Sequence, residues 1–165
     1  MKQIVLLITL FSAVSLSSPL GAQNPNANWR ALVSKAYSQS DVVMSGEVLS
    51  IDDQTARDGG HVYSLRVTGR HKGGPQEQIS VRAGGFFYTV PLEVDESVLL
   101  FLKSTRSGKS SVRGPDYSMV EVATLRPMAF RLSGPDAKPV DRRLQAEFAQ
   151  VSAQEIEDFL SSIRP

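Results

Sequence analysis

The stretch DVVMSGEVLSI, residues 41–51, decides the fold. Its valine, methionine, leucine and isoleucine residues predict a β-strand, and Gly46 interrupts them. Glycine inside a strand indicates a β-bulge or the close approach of another backbone, as at the corner of a barrel. The stretch therefore predicts a bent first strand, which favours a small and highly curved barrel.

More strands follow at short intervals. Residues 63–68 alternate between apolar and polar types, which predicts a half-buried strand, and residues 79–82 do the same before the pair Gly84-Gly85. Residues 86–90 predict a short aromatic strand that ends at Pro91, because proline cannot donate a hydrogen bond to a neighbouring strand.

The sequence VLLFL at residues 98–102 is apolar at every position, so we expect this strand to be buried on both faces and to be the most buried of all. Residues 120–122 and 128–132 predict two further short strands. Residues 133–139 are rich in turn-forming types and predict a connector.

Helices are predicted at both ends of this β-rich region. Asn28, or else Asn26, caps a helix that ends near Gln39, and its apolar face is formed at helical spacing by Trp29, Leu32, Val33, Ala36 and Tyr37. Residues 141–164 predict a C-terminal helical segment in two parts. Leu144, Phe148 and Val151 share one face of the first part, and Ser152 with Glu155 forms a capping box at the start of the second.

Together these elements predict a mainly β fold with flanking helices. We expect a five- to seven-stranded barrel of the OB type, with an N-terminal helix and C-terminal helices against its outside or at one end. A β-sandwich is the alternative. Neither a repeat nor a long linker divides the chain, so residues 23–165 are expected to form a single domain.

Residues 1–22 have the pattern of a secretory signal peptide. Lys2 is followed by the apolar residues 4–14, and Pro19 and Gly21 precede Ala22. The apolar run is shorter than the roughly 20 residues that span a bilayer, so we expect cleavage after Ala22 rather than an uncleaved anchor, with Ser18 as a second cleavage point. The protein is predicted to be periplasmic or secreted, without an integral membrane span after cleavage.

The composition narrows the classes of function. The chain has no cysteine, so it has neither a thiol nucleophile nor thiolate metal ligands. It has 18 basic and 17 acidic residues, and loss of Lys2 with the signal peptide would leave equal numbers. A nucleic-acid-binding protein needs a basic surface that neutralises phosphates, so nucleic acid is not expected to be a partner.

Four stretches together resemble the barrel of the TIMP-like, or netrin-like, OB-fold superfamily, and especially its uncharacterised secreted bacterial members. They are SDVVMSGEVLSI (40–51), YSLRVTGRHKGG (63–74), ISVRAGG (79–85) and VDESVLLFL (94–102). In animal members the resemblance would imply metalloprotease inhibition, in which an N-terminal cysteine places its amine and carbonyl on the protease zinc. This chain has no cysteine, so the resemblance implies an OB-like binding domain and assigns no inhibitory residue.

Two segments are the candidate partner-binding sites. The first is an aromatic segment, whose residues alternate between the two sides of the predicted strand. One side is expected to be core and the other an exposed surface of the kind that interfaces use. The alternative is that all of these residues are buried. Its residues are Phe86, Phe87 and Tyr88. The second candidate site is a basic loop without acidic residues. It would bind a polyanionic glycan or an acidic protein patch. The alternative is that the loop is a solvated hairpin tip. Its residues are Lys103, Arg106, Lys109 and Arg113.

Catalytic and cofactor signatures are weak. His61 and His71 flank one predicted strand about 30 Å apart, which excludes a shared metal ion, and we expect both to be exposed. Gly108-Lys109-Ser110 lacks the first glycine of a P-loop. The G-x-S-x-G sequence is absent, although serine, histidine and aspartate from distant positions could still assemble.

We therefore predict a non-enzymatic binding module that needs no cofactor and has an unknown protein or glycan partner outside the cytoplasm. A protease inhibitor, suggested by the superfamily resemblance, is the first alternative. A hydrolase with an unrecognised site is the second.

Overall fold

A computed structural model describes residues 25–52, 60–83, 91–105, 117–123 and 126–164. The predicted signal peptide, the aromatic segment with Phe86, Phe87 and Tyr88, and the basic residues Arg106, Lys109 and Arg113 lie outside the described residues.

The described chain is mainly β, with a helix near each end. The helices are α1 (Pro25–Gln39) and α2 (Ala153–Ser162), and a short 3-10 helix spans Arg142–Leu144. The strands are β1 (Val42–Asp52), β2 (His61–Lys72), β3 (Gln78–Ala83), β4 (Ser97–Ser104), β5 (Tyr117–Met119), β6 (Glu121–Ala123), β7 (Arg126–Pro127), β8 (Ala129–Ser133) and β9 (Asp136–Pro139).

Five strands close into a barrel in the order β1-β2-β3-β5-β4, and β4 pairs with β1 to complete the ring. All these pairs are antiparallel except β3 with β5, which is parallel. The prediction of a small OB-like barrel with flanking helices is confirmed. The alternative of a β-sandwich is wrong, because one continuous sheet closes on itself instead of packing against a second sheet.

The bend predicted at Gly46 is present. The pairing of β1 with β2 shifts register between Ser45 and Gly46, which marks a bulge. A Cβ atom at Gly46 would lie 2.8 Å from the carbonyl oxygen of Arg66, so β2 approaches the first strand too closely for a side chain. At this bulge β1 is paired with β2 on one edge and with β4 on the other, so the bend curves the sheet towards closure.

Strand β4 separates two hydrophobic cores, as its apolar residues predicted. Val98, Leu100 and Leu102 face the barrel interior, whereas Leu99 and Phe101 face outward into a second cluster beneath the helices. All five side chains are buried. The barrel core is completed from the other strands, chiefly by Met44, Val48, Tyr63, Leu65, Ile79 and Val81.

The second cluster, here called the helix-side core, joins α1, α2 and the β8–β9 hairpin to the outside of β1 and β4. Aromatic rings pack together in this cluster. The ring centroids of Trp29 and Phe159 are 5.3 Å apart, and those of Phe130 and Phe148 are 4.9 Å apart. Edge-to-face packing at such distances adds roughly 0.5–1.5 kcal/mol per pair beyond the area that is buried. The helices are therefore fixed to one side of the barrel.

The capping box is confirmed, and α1 also ends at Gln39 as predicted. The Ser152 hydroxyl accepts a hydrogen bond from the Glu155 backbone N–H, and the Glu155 carboxylate accepts one from the Ser152 backbone. The start of α1 was predicted too late, because the helix begins at Pro25; proline is favoured in a first helical turn, where its missing N–H costs nothing. No helix within the described ranges is long and apolar enough to cross a membrane.

Two predictions for the C-terminal third need correction. Residues 133–139 are not a simple connector, because β8 and β9 form a hairpin that turns at Gly134, whose φ is +57°. The helical segment 141–164 is only partly helical: its first part is the 3-10 helix followed by turns, and only α2 is an α-helix. Leu144, Phe148 and Val151 are nevertheless buried in the helix-side core, as their shared face predicted.

Candidate functional site

The outer surfaces of β2, β3 and β5 form one polar face of the barrel, which we call the open face. No described residue of these three strands belongs to the helix-side core, whose barrel residues come from β1 and β4. The apolar residues of β3, Ile79 and Val81, point into the barrel instead. The helices and the open face therefore occupy different sides of the barrel.

A row of cross-strand neighbours at one end of the open face includes two cations. Arg82 of β3 lies opposite Ser118 of β5, and Ser118 lies opposite Lys103 of β4. Neighbouring Cβ atoms in such rows are about 5 Å apart, so the two cationic side chains start roughly 10 Å from each other. Lys103 is exposed and Arg82 is half-buried. Of the predicted site residues, Lys103 is the one that the described structure places, and it belongs to this row.

The rest of the open face is also polar. Ser64 and Ser80 are paired across β2 and β3, and Gln78 Nε2 donates a 2.8 Å hydrogen bond to Ser64 Oγ. Arg66 forms an ion pair with Glu47 of β1, which raises the pKa of the Arg66 guanidinium. These contacts hold the central side chains in place without an apolar cover.

The two predicted binding segments begin and end close to the cationic row. The aromatic segment lies in the chain after Ala83, the last residue of β3, and the basic segment precedes Tyr117, the first residue of β5. Tyr117 pairs with Val81 on one side and with Ser104 on the other. From strand spacings, Ala83 and Tyr117 are within about 10 Å of each other. The described barrel thus brings the attachment points of both segments together.

A serine–histidine pair lies at the border between β1, β2 and α2. Ser45 Oγ and His71 Nε2 are 2.9 Å apart, and they come from positions 26 residues apart in the chain. Sequence reasoning left such an assembly open but did not identify it, because the strand pairing that joins the two side chains is set by the bulges of β1.

Both histidines are half-buried, so the expectation of two exposed residues was wrong. They lie at opposite ends of β2, as predicted, and the His61 ring packs near that of Tyr63. Burial lowers the pKa of His71, with the Glu157 carboxylate opposing that shift and Arg164 adding to it. His71 is therefore a neutral hydrogen-bond partner of Ser45 near pH 7.

An open groove of about 450 Å³ runs along β2, but neither Ser45 nor His71 lines it, and Ser45 is buried. It is lined along β2 by Arg66, Val67, Thr68, Gly69 and Arg70, and on its far side by Glu77. Gly69 also borders the pair, since a Cβ atom built on it would lie 3.5 Å from Ser45 Oγ and 3.7 Å from His71 Nε2.

Within the described ranges, no group of three or more histidine, aspartate or glutamate residues is placed to hold a metal ion. The sequence matches neither a protein-family model nor a curated protein at a significant level.

Proposed function

We propose that this protein is an exported, non-enzymatic binding module whose open face receives an anionic partner outside the cytoplasm. The observation that carries the proposal is the cationic row of Arg82, Ser118 and Lys103, which begins on the open face at β3 and β5 and ends at the exposed Lys103 of the neighbouring strand β4. OB-type barrels bind their ligands on the face of the second and third strands and on the loops beside it.

The predicted binding segments support this location. The described ends of the neighbouring strands lie near the cationic row, and the basic segment contains three further cations, Arg106, Lys109 and Arg113. The aromatic segment contains Phe86, Phe87 and Tyr88. A partner that meets both kinds of residue would be an acidic glycan, because aromatic rings pack on sugar faces and cations pair with carboxylates or sulfates. An acidic protein patch is the other candidate.

Export is part of the proposal and is supported by the pattern of residues 1–22. The relationship to the TIMP-like superfamily is also a proposal, supported by the four resembling stretches and by a closed barrel that OB folds share in general. Protease inhibition has no support in the described geometry beyond that resemblance.

The test is a titration of residues 23–165 with polygalacturonate, a uronic acid polymer, at several salt concentrations. Affinity should fall as salt rises, because screening weakens contacts between exposed charges. Lys103→Glu replaces attraction by repulsion and should weaken binding about tenfold. Lys138→Glu is the matched control, since Lys138 is an exposed lysine on β9, away from the open face.

Equal weakening by both variants would show that net charge alone matters and would refute the assignment of the open face. If polygalacturonate does not bind, the same pair of variants is used in affinity capture from periplasm and culture medium. An acidic protein that the wild-type chain and Lys138→Glu capture, but Lys103→Glu does not, would identify a protein partner. Identical captures by all three chains would refute the proposal.

A further inference from the structure

The polar residues of the open face continue along β2 and β3, away from the cationic row. The cross-strand pairs Ser64–Ser80 and Arg66–Gln78 follow Arg82 at two-residue steps. Each step along a strand is about 6.6 Å, so Gln78 lies roughly 13 Å from Arg82 along β3. The outer side chains of these two strands therefore form a polar strip, which starts at the row and leads away from it.

The far end of the polar strip is the groove of about 450 Å³. Arg66 and Arg70 both line this groove, and Thr68 lines it between them. Arg70 is exposed and is a further four residues, or about 13 Å, along β2. The strip thus has cations at both ends, and the level of Arg82 and that of Arg70 are about 26 Å apart.

Acidic residues border the strip but do not interrupt it. Neither β2 nor β3 contains an aspartate or a glutamate. Glu47 and Asp52 lie on the neighbouring strand β1, where Glu47 forms an ion pair with Arg66, and Glu77 lines the groove just before β3 begins. An extended chain of negative charges would therefore be attracted along β2 and β3 and repelled from β1.

Neutral hydrogen-bonding side chains separate the cations of the strip. Ser64, Ser80 and Gln78 lie between its first two arginines, and Thr68 lies between the second and the third. Hydroxyl and amide groups can both donate and accept hydrogen bonds. A chain of uronic acid units matches this order, because its carboxylates are separated by hydroxyl groups, whereas an acidic peptide offers carboxylates without such hydroxyls.

We propose that the partner of the open face is a linear acidic polysaccharide that lies lengthwise along β2, with one part at the cationic row and another in the groove. The inference rests on the proposed function, since it extends the same site. Lys103 and Arg82 pair with one carboxylate, and Arg66 and Arg70 pair with a second one farther along the same chain. The second contact is intramolecular once the first has formed, so a chain that reaches both ends binds far more tightly than a short one.

The experiment measures the affinity of residues 23–165 for digalacturonate and dodecagalacturonate by isothermal titration calorimetry at low salt. The longer chain should bind about 100-fold more tightly or better. Arg70→Glu repels the chain from the groove and should remove most of this gain with length. Arg142→Glu is the matched control and should keep the gain, because Arg142 is an exposed arginine of the 3-10 helix, whose Leu144 lies in the helix-side core.

Poly-glutamate of similar length tests whether sugar hydroxyls are recognised. Gln78→Ala should weaken the binding of dodecagalacturonate severalfold and leave the binding of poly-glutamate unchanged. Circular dichroism of each variant establishes that the fold is retained. Equal affinity of the wild-type chain for both polymers, with no effect of Gln78→Ala on either, would show that only charge is read and would overturn the assignment of a polysaccharide.

Other outcomes separate this inference from the proposed function. If Lys103→Glu weakens the binding of dodecagalacturonate but Arg70→Glu acts no more strongly than Arg142→Glu, the partner binds at the cationic row alone. The proposed function would then stand and the lengthwise site would be refuted. An affinity that grows only in proportion to chain length, or no binding of either oligomer, would also overturn the inference, while affinity capture with Lys103→Glu and Lys138→Glu tests the proposed function independently.

Discussion

Replacement of Gly46 by alanine tests whether the barrel depends on the close approach of its first two strands. The new Cβ atom would lie 2.8 Å from the carbonyl oxygen of Arg66 and would also overlap the terminal methyl group of Met44. The methionine can turn away at low cost because its side chain is flexible. The carbonyl oxygen cannot, since Arg66 is paired with Glu47 in the β1–β2 ladder.

The size of the effect follows from two opposing terms. Extra atoms in a tightly packed region typically cost about 1–3 kcal/mol. Alanine restricts the unfolded chain more than glycine does, which returns about 0.4–1 kcal/mol. The net loss in the free energy of unfolding should be about 1–2 kcal/mol, or a fall of about 3–8 °C in Tm for a domain of this size.

Urea unfolding followed by tryptophan fluorescence and circular dichroism measures this loss. Trp29 is the only tryptophan in the chain and is buried in the helix-side core. Its emission therefore reports on the packing of the helices against the outside of the barrel. Gly74→Ala is the matched control, because no atom lies within 4 Å of a Cβ built at that position. Equal stability of the two variants would refute the argument that Gly46 is required by the approach of Arg66.

Four further predictions are more local. Ser152→Ala removes the N-cap of α2 and should cost about 1 kcal/mol in urea unfolding; an unchanged midpoint would contradict the capping role. Phe130→Ala empties a buried position between Phe101 and Phe148 and should cost about 3–5 kcal/mol, far more than Ser152→Ala by the same measurement. The pKa of His71 is lowered in the folded state, so the unfolded chain binds a proton at this residue first as the pH falls. The free energy of unfolding should therefore decrease from about pH 6.5 downward. His71→Gln should flatten that decrease. Protein recovered from the periplasm or medium should begin at Gln23 by N-terminal sequencing, whereas a retained Met1 would contradict cleavage.

The main strands were predictable from the sequence because their apolar and polar residues alternate with the two-residue period of a β-strand. Tyr63 and Leu65 face the barrel core, and the uniformly apolar β4 is buried on both sides. The capping box at Ser152 was predictable for a similar reason, since its partners are three residues apart. The β9 strand was not, because Asp136 and Lys138 are polar and their strand conformation depends on pairing with β8.

The candidate sites divide in the same way. The sequence alone identified Lys103 as part of a basic segment, but not that β5 would place it in one row with Arg82. It also contained Ser45 and His71 without any sign that they meet. Local patterns thus determined the mainly β class, the bend at Gly46 and the faces of the strands, because they depend on neighbours within a few residues. Tertiary structure alone decided the strand order, the side that the helices cover and the serine–histidine contact, because each depends on the register between strands that are far apart in the chain.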